Sequence, residues 1–194
     1  RSCPGPQSAF WPRTSLCEPA YTSPPDRPRG TEVARHLLDK REWDFPSSCW
    51  VCEPDNPEGL RIPFYYDEEA RQVVAEFTPQ PAFSGAPEFA HGGLSMALLD
   101  EAMTWSLISI ARRWGVMRRA QSVFSRPVRI GQRHEVRAWI EGSHGFDLVA
   151  AGEIRDSRGR VCVAFRADYY VMTQDEAARA YGVESEIARE FTRA

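Results

Sequence analysis

The sequence predicts an α+β fold in which one antiparallel sheet covers one long helix. The first observation is the apolar run at residues 91–112, the longest in the chain. The second is the order of the strand-like segments, two before that run and four after it. Because one sheet on one helix leaves much of both exposed, we expect two subunits to bring their helices together about a two-fold axis.

The central helix is apolar on almost every side, which is typical of a helix that is buried all round. Its apolar residues are Leu94, Met96, Ala97, Leu98, Leu99, Ala102, Met103, Trp105, Leu107, Ile108 and Ile110. Asp100 and Glu101 lie in its middle, so the uncharged stretches on either side are far shorter than the roughly 20 residues that a bilayer requires. We therefore expect a soluble core helix and no membrane partner.

The two adjacent acids are candidate functional residues. A buried ionised carboxylate must be paired, hydrogen-bonded or neutralised, and this cost is often retained for function. At about 100° per residue, Asp100, Glu101 and Thr104 fall on one side of the helix. Thr104 lies one turn after Asp100, so we expect its hydroxyl to hydrogen-bond to that carboxylate.

The start of the helix carries the glycine pair Gly92 and Gly93. Glycine costs about 1 kcal/mol relative to alanine inside a helix, but it lets another group approach bare backbone. The first N–H groups of a helix have no internal acceptor and lie at the positive end of its dipole. The pair therefore predicts an oxyanion-binding site, the alternative being a tight entry turn after Pro87.

Composition predicts one globular domain and gives no indication of a nucleic-acid partner. The 194 residues are 42% hydrophobic and carry a formal net charge of -3, so nothing indicates a nucleic-acid partner. The start of the sequence shows no apolar segment like a signal peptide, which favours a cytoplasmic location.

The cysteines do not form a recognisable disulfide or metal framework. They are five in number, and only Cys49 and Cys52 form a C-x-x-C motif. A zinc site requires a second such pair or two well-spaced histidines, and a redox motif usually opens a helix. Because neither context is present, we expect no metal and no cofactor.

The remaining segments are assigned from local patterns. Residues 1–30 are rich in proline and show no periodicity, so we expect disorder there. Residues 31–47 are expected to form a helix capped by Thr31, followed by a linker, and residues 173–194 a C-terminal helix interrupted near Gly182. The expected strands are 60–66, 71–78, 120–128, 135–143, 146–155 and 160–172, with the first two forming a hairpin and the last four an antiparallel meander. Gly115 is expected to end the central helix.

A series of short motifs carries a family resemblance over residues 48–172. The motifs are C-x-x-C-x3-NP-x-GL at 49–60, HGG at 91–93, LLDEA at 98–102 and RPV at 126–128. In this order and spacing they resemble the hotdog-fold acyl-CoA thioesterases of the phenylacetate-pathway type. The resemblance implies a hotdog fold, with the sheet wrapped around the long helix, and a dimer or a dimer of dimers. It also implies hydrolysis of an acyl-CoA substrate to a carboxylic acid and coenzyme A.

The resemblance also assigns roles by position. The catalytic carboxylate falls on Asp100, with Glu101 as the competitor, and the polarising N–H falls at Gly92 or Gly93. His91 is expected either to orient the substrate or to cap the helix. Eight residues of helix separate Gly92 from Asp100 by about 12 Å, too far for both to reach one carbonyl carbon, so they must come from different subunits.

Two positions depart from the family pattern. Many members carry Asn or Gln in the loop before HGG, where Ser84 and Gly85 stand here, and Gly85 is the candidate substrate contact in that loop. Many also carry Ser or Thr, which helps to place the attacking water, where Met117 stands. Either Thr104 or Ser122 substitutes, or turnover is slow, or the chain is a non-catalytic acyl-CoA binding module. A hotdog dehydratase is disfavoured, because its histidine and acid arrangement before the helix is not found.

Overall fold

The computed structural model describes residues 34–43 and 47–182, which form one long helix against a large antiparallel sheet. In chain order the strands are β1 (Arg35–Leu38), β2 (Phe64–Asp67), β3 (Gln72–Phe77), β4 (Ser84–Ala86), β5 (Phe89–Ala90), β6 (Gly115–Phe124), β7 (His134–His144), β8 (Asp147–Asp156) and β9 (Val161–Val171). The helices are α1 (Gly92–Ser106) and α2 (Gln174–Tyr181). The seven-stranded sheet has the order β1-β2-β3-β7-β8-β9-β6, and β4 pairs with β5 separately.

The sheet wraps around α1, which confirms the expected architecture. Leu98, Leu99 and Ala102 of α1 have no solvent exposure. The helix approaches β8 closely at Gly152, where a Cβ atom would lie 3.0 Å from Leu99 Cδ2 and 2.9 Å from the carbonyl oxygen of Arg137. The concave face of the sheet and the apolar side of α1 therefore form one continuous core.

The strand order differs from the expected four-stranded meander. Strands β7, β8 and β9 do form a meander, but β6 pairs with β9 at the far edge. One side of β7 is occupied by β3, with Val74 opposite Arg137, and the other side by β8. Consequently β6 can join the sheet only at its free edge.

The predicted hairpin is present, and one predicted strand lies earlier in the chain than expected. The hairpin is confirmed, because the Asp67 carboxylate accepts the backbone N–H of Ala70 (2.9 Å) in the turn between β2 and β3. The segment expected at 120–128 lies earlier, as β6. Val128 instead accepts the N–H of Ala90 (2.8 Å) and ties this segment to the entry of α1.

The prediction that Gly115 ends the central helix is wrong. The helix continues from α1 as a π-helical turn over Leu107–Ala111, and Arg112 ends it in the left-handed conformation (φ 56°). Gly115 is instead the first residue of β6. A Cβ atom there would lie 2.8 Å from Leu107 Cδ2 and 2.9 Å from the Tyr170 carbonyl oxygen, so close packing explains the glycine.

The expected N-terminal helix is also wrong within the described residues. Arg35–Leu38 forms β1, whose backbone pairs with β2, and Lys40–Trp43 is one 3-10 turn. Pairing with an open sheet edge supplies backbone hydrogen bonds that outweigh the modest helix propensity of this segment. Residues 1–33, including the segment expected to be disordered and the Thr31 cap, lie outside the described residues.

The C-terminal helix is confirmed as far as the structure describes it. Thr173 and Glu176 form a reciprocal capping box at the start of α2, and Gly182 ends it in the left-handed conformation. Residues 183–194 lie outside the described residues. Among the described helices, Gly92–Ala111 is long and apolar enough to cross a membrane, and 56% of its apolar 18-residue window is buried in the protein.

Candidate active site

The start of α1 is organised by His91. Its Nδ1 atom accepts the backbone N–H of Gly93 (2.9 Å), and its own backbone N–H donates to the Phe83 carbonyl (2.8 Å). Of the two roles open from the sequence, the structure shows the helix cap. Because Nδ1 accepts, the ring proton of a neutral His91 lies on Nε2.

Gly92 is the residue whose N–H remains available. It is the first residue of α1, so its N–H has no acceptor within the helix, and no other acceptor for it occurs among the described residues. The Gly93 N–H, in contrast, is used by His91. The structure therefore selects Gly92 as the candidate oxyanion donor from the pair that the sequence left open.

The backbone at this point is approached closely from two sides. A Cβ atom on Gly92 would lie 3.4 Å from the Phe124 ring, and a Cβ atom on Gly85 would lie 3.1 Å from the His91 Cα atom. The structure therefore brings Gly85 to the helix start, as expected of a residue that lines the site. Its contact with a substrate stays a prediction.

The second candidate group is the carboxylate of Asp100. Its Oδ1 atom accepts a hydrogen bond from the Tyr169 hydroxyl (2.9 Å). Asp100 reaches the surface of the single chain, yet its carboxyl group lies among protein atoms, and this burial raises its pKa. The Tyr169 hydrogen bond lowers that pKa, and the nearby charge of Glu101 raises it. The net result is a carboxyl group with a pKa above its ordinary value.

Tyr169 is the site residue that the sequence analysis missed. It lies on β9, is only 1% exposed, and replaces Thr104 as the observed donor to Asp100. The Thr104 hydroxyl lowers the pKa of the Tyr169 phenol, so its effect on the carboxylate passes through that phenol. Burial raises the pKa of Tyr169, as does the charge of Asp100, and the phenol therefore stays protonated as a donor.

The position of the absent family hydroxyl lies beside this pair. Met117 on β6 is directly opposite Tyr169 in the register of β6 and β9. Ser122, considered as a substitute, is opposite Phe165, four residues along β9 and about 13 Å from Tyr169 at strand spacing. Ser122 therefore lies away from the Asp100 carboxylate within its own subunit, and the hydroxyl that contacts this carboxylate is that of Tyr169.

Glu101 has different partners from Asp100. One carboxylate oxygen pairs with Lys40 Nζ (3.2 Å), and the other accepts from the Cys49 thiol (3.3 Å). Lys40 also lies over the Trp105 ring, 5.5 Å from its centroid. With its charge balanced by Lys40 and both of its oxygens engaged, Glu101 is the less available of the two acids, which favours Asp100 as the reactive acid.

The structure unexpectedly brings together three side chains with metal-ligand chemistry. The thiols of Cys49 and Cys52 and a carboxylate oxygen of Glu101 lie within 4.8 Å of one another. Local sequence gave no signal for this, because Glu101 is 52 residues from Cys49. The expectation of no metal stays a prediction.

Gly92 and Asp100 do not meet within one chain. Both lie on α1, eight residues and about 12 Å of helical rise apart.

Two cavities occur elsewhere: one of about 360 Å³ near Phe146, and one of about 110 Å³ near Cys52. On β6, Arg118 pairs with Asp147 (3.2 Å) and Arg119 with Asp168 (2.7 Å), so both guanidinium groups have carboxylate partners.

Residues 88–163, from the strand before α1 to the first residues of β9, match the family model of the thioesterase superfamily. The match covers less than half of the chain, and this segment is similar to thioesterase-superfamily domains. Its fold is the hotdog fold that the motifs implied, with the long HGG helix wrapped by the antiparallel sheet. No curated protein sequence matches the chain.

Of three similar solved structures, the first supports the fold, and the other two have TM-scores under 0.5. A crystal structure of a thioesterase superfamily protein is 22% identical, with a TM-score of 0.61, over 74% of this chain and 70% of that one. The PaaI protein of the E. coli phenylacetic acid degradation operon is 20% identical (TM-score 0.48) over 51% of this chain and 75% of its own. A hypothetical thioesterase from Streptococcus pneumoniae TIGR4, solved with coenzyme A, is 17% identical (TM-score 0.49) over 52% and 78%. At these identities the likeness concerns the fold alone.

Proposed function

We propose that this protein is an acyl-CoA thioesterase whose active site forms between two subunits. The observation that carries the proposal is a pair of groups on α1: the free N–H of Gly92 and the carboxylate of Asp100, which accepts one hydrogen bond from Tyr169 and pairs with no cation among the described residues. One can polarise a thioester carbonyl and the other can deliver a nucleophile. Because about 12 Å of helix separates them, a second subunit must complete the site.

The free edge of the sheet supports this assembly. Strand β6 is ten residues long and borders the sheet in the described chain, with Val116, Val123 and Phe124 at 40%, 41% and 44% exposure. A long edge strand with exposed apolar residues is a template for pairing with another chain. A homodimer joined at β6, alone or as a dimer of dimers, would cover this edge. The proposed enzyme is cytoplasmic and has neither a nucleic-acid nor a membrane partner.

The proposed chemistry needs no cofactor. Gly92 of the partner subunit donates its N–H to the thioester oxygen, where one aimed donor is worth about 2.7 to 4 kcal/mol in the transition state. Asp100 acts on the carbonyl carbon, either by activating a water molecule or by attacking directly to form an anhydride. Tyr169 is a positioning residue that holds the carboxylate through its 2.9 Å hydrogen bond. The raised pKa makes Asp100 a stronger base than an ordinary aspartate.

An oxygen-18 experiment detects direct attack by Asp100. After a single turnover in labelled water, opening of the anhydride at the aspartyl carbonyl leaves the label in the Asp100 side chain. Activation of water, or opening of the anhydride at the acyl carbonyl, places the label in the released acid. Peptide mass spectrometry of the enzyme and of the product distinguishes these results.

A thiol-release assay across short, medium, long and aryl acyl-CoAs tests the function. We expect turnover of at least one class, and a loss of about 10² to 10⁴ in kcat for Asp100→Asn, because the amide cannot accept the proton. Glu101→Gln is the matched control and should keep kcat within a few fold. No turnover by a folded protein, or full activity in Asp100→Asn, would overturn the proposal.

The second candidate function is a non-catalytic acyl-CoA binding module. It is favoured by Met117, which stands opposite Tyr169 in place of the family hydroxyl. Calorimetry should then show acyl-CoA binding with no release of coenzyme A. A burst of free coenzyme A on mixing would end this alternative.

A further inference from the structure

The C-x-x-C motif lies in a charged cluster that the proposed hydrolysis does not use. The Cys49 thiol donates to one oxygen of Glu101 (3.3 Å), and Lys40 pairs with the other (3.2 Å). The side chains of Lys40 and Glu101 are each only 13% exposed. Both thiols are half-buried and lie within 4.8 Å of the Glu101 carboxylate and of each other.

The backbone already holds the two cysteines at a distance that permits a disulfide bond. The Glu53 N–H donates to the Cys49 carbonyl (3.1 Å), which closes a helix-like turn over residues 49–53. In such a turn, Cα atoms three residues apart are about 5 Å apart, within the 4.4–6.8 Å range of disulfides. Bond formation between Cys49 and Cys52 therefore requires little movement of the chain.

The cluster also makes the two thiols unequal. A hydrogen bond from Cys52 lowers the pKa of Cys49 to about 7, against the opposing effects of burial and of the Glu101 charge, and the positive charge of Lys40 adds a smaller lowering effect. The same hydrogen bond, with burial, raises the pKa of Cys52. Because the thiolate is the attacking species in thiol–disulfide exchange, Cys49 is the nucleophile and Cys52 the resolving thiol.

Cys49 and Cys52 are partly exposed, whereas a third cysteine is buried. Cys52 and Lys40 line the cavity of about 110 Å³, together with Trp105 and Pro63. Cys162 is only 1% exposed, and burial raises its pKa. Cys162 is therefore an internal control for reactivity.

We propose that Cys49 and Cys52 form a redox-active dithiol that low-molecular-weight disulfides oxidise to an intramolecular disulfide. The Cys49 thiolate attacks one sulfur of the small disulfide, breaks its S–S bond and releases one thiolate. Cys52 then attacks Cys49 Sγ in the mixed disulfide, and its proton leaves with the second thiol. Two protein thiols lose two electrons in total, and the small disulfide becomes two thiols.

The charge of Lys40 favours a redox-active dithiol over a metal site. Two cysteines and a glutamate are ligands that zinc accepts. The ammonium group of Lys40, however, already pairs with Glu101 and contributes a positive charge to both thiols. The ammonium group of Lys40 therefore already supplies a positive charge to the cluster.

Site-resolved mass spectrometry of the full chain in glutathione redox buffers tests the proposal. After alkylation of free thiols under unfolding conditions, trypsin should cleave after Arg41 and Arg61 and place both cysteines in the peptide 42–61. We expect this peptide to lose two hydrogens and to escape alkylation as oxidised glutathione increases, while the Cys162 peptide stays alkylated. A fully alkylated 42–61 peptide in every buffer, or a crosslink to Cys3 or Cys17 instead, would overturn the proposal.

Single substitutions test the order of attack. With oxidised glutathione, Cys52→Ser should accumulate one glutathione adduct on Cys49, because the resolving thiol is absent. The matched variant Cys49→Ser should react at least several fold more slowly, and Lys40→Met should slow the first step. Faster reaction of Cys52 than of Cys49 would contradict the assignment. Stoichiometric zinc that is bound by the purified wild type and lost in Cys49→Ser would overturn it in favour of a metal site.

Discussion

Replacing Gly92 with proline removes one specific hydrogen atom from the proposed site. Proline has no N–H, and it is favoured at the first position of a helix because its fixed φ suits that position. His91, the preceding residue, has φ -61° and ψ 136°, a conformation that proline accepts in its neighbour. A Cβ atom at residue 92 would lie 3.4 Å from the Phe124 ring, which is ordinary contact. The fold should therefore survive Gly92→Pro.

The expected loss follows from the free N–H of Gly92. No acceptor within the described chain uses this group, so its removal costs no native hydrogen bond. If it stabilises the oxyanion, Gly92→Pro should lower kcat by about 10² to 10³, equivalent to about 2.7 to 4 kcal/mol. Gly92→Ala is the matched control, because it adds the Cβ atom but keeps the N–H.

Steady-state thiol release with the best acyl-CoA substrate measures the effect. Thermal melts and size-exclusion chromatography should show that both variants fold and assemble like the wild type. A kcat for Gly92→Pro within about threefold of that for Gly92→Ala would refute the assignment of Gly92 as the oxyanion donor.

Further predictions concern the acid and the core. Loss of the Tyr169 hydrogen bond should destabilise the Asp100 carboxylate by about 1.5 kcal/mol. This value is the lower limit for hydrogen bonds to charged groups, and it applies because Asp100 is exposed in the single chain. Activity that needs the carboxylate falls as pH drops through its pKa, so Tyr169→Phe should move the acid limb of kcat/KM to higher pH. Tyr170→Phe, which removes a phenol bound to Glu176, should leave that limb in place, and an unshifted limb in both variants would contradict the role of Tyr169. Gly152→Ala should lower the free energy of unfolding by about 1 to 3 kcal/mol in denaturant titrations, because its Cβ atom would meet backbone at 2.9 Å, and an unchanged midpoint would contradict the packing.

The features that the sequence predicted were those encoded by local pattern. The apolar run, the Gly92 and Gly93 pair and the alternating strands each have a period or a composition that belongs to one element. The position of Asp100 on the helix followed from the same spacing. These features were sufficient for one sheet against one long helix, whereas the hotdog fold and the choice of Asp100 over Glu101 came from the family resemblance.

The missed features depend on contacts between distant segments. Tyr169 is one of several aromatic residues in β9, and only the sheet register places its hydroxyl against Asp100, 69 residues away. The same holds for Glu101, whose partners Lys40 and Cys49 come from segments before the helix. Arg35–Leu38 became a strand because β2 offered an open edge, which no local propensity reveals.

The shared site between subunits can be measured directly by mixing two inactive variants. Asp100→Asn lacks the acid and Gly92→Pro lacks the donor, so a mixed dimer contains one site with both wild-type groups. After the two proteins are unfolded and refolded together, random pairing should restore about a quarter of the wild-type activity, while each variant refolded alone stays inactive. A mixture in which mixed dimers form but remain as inactive as its components would contradict an active site completed across the subunit boundary.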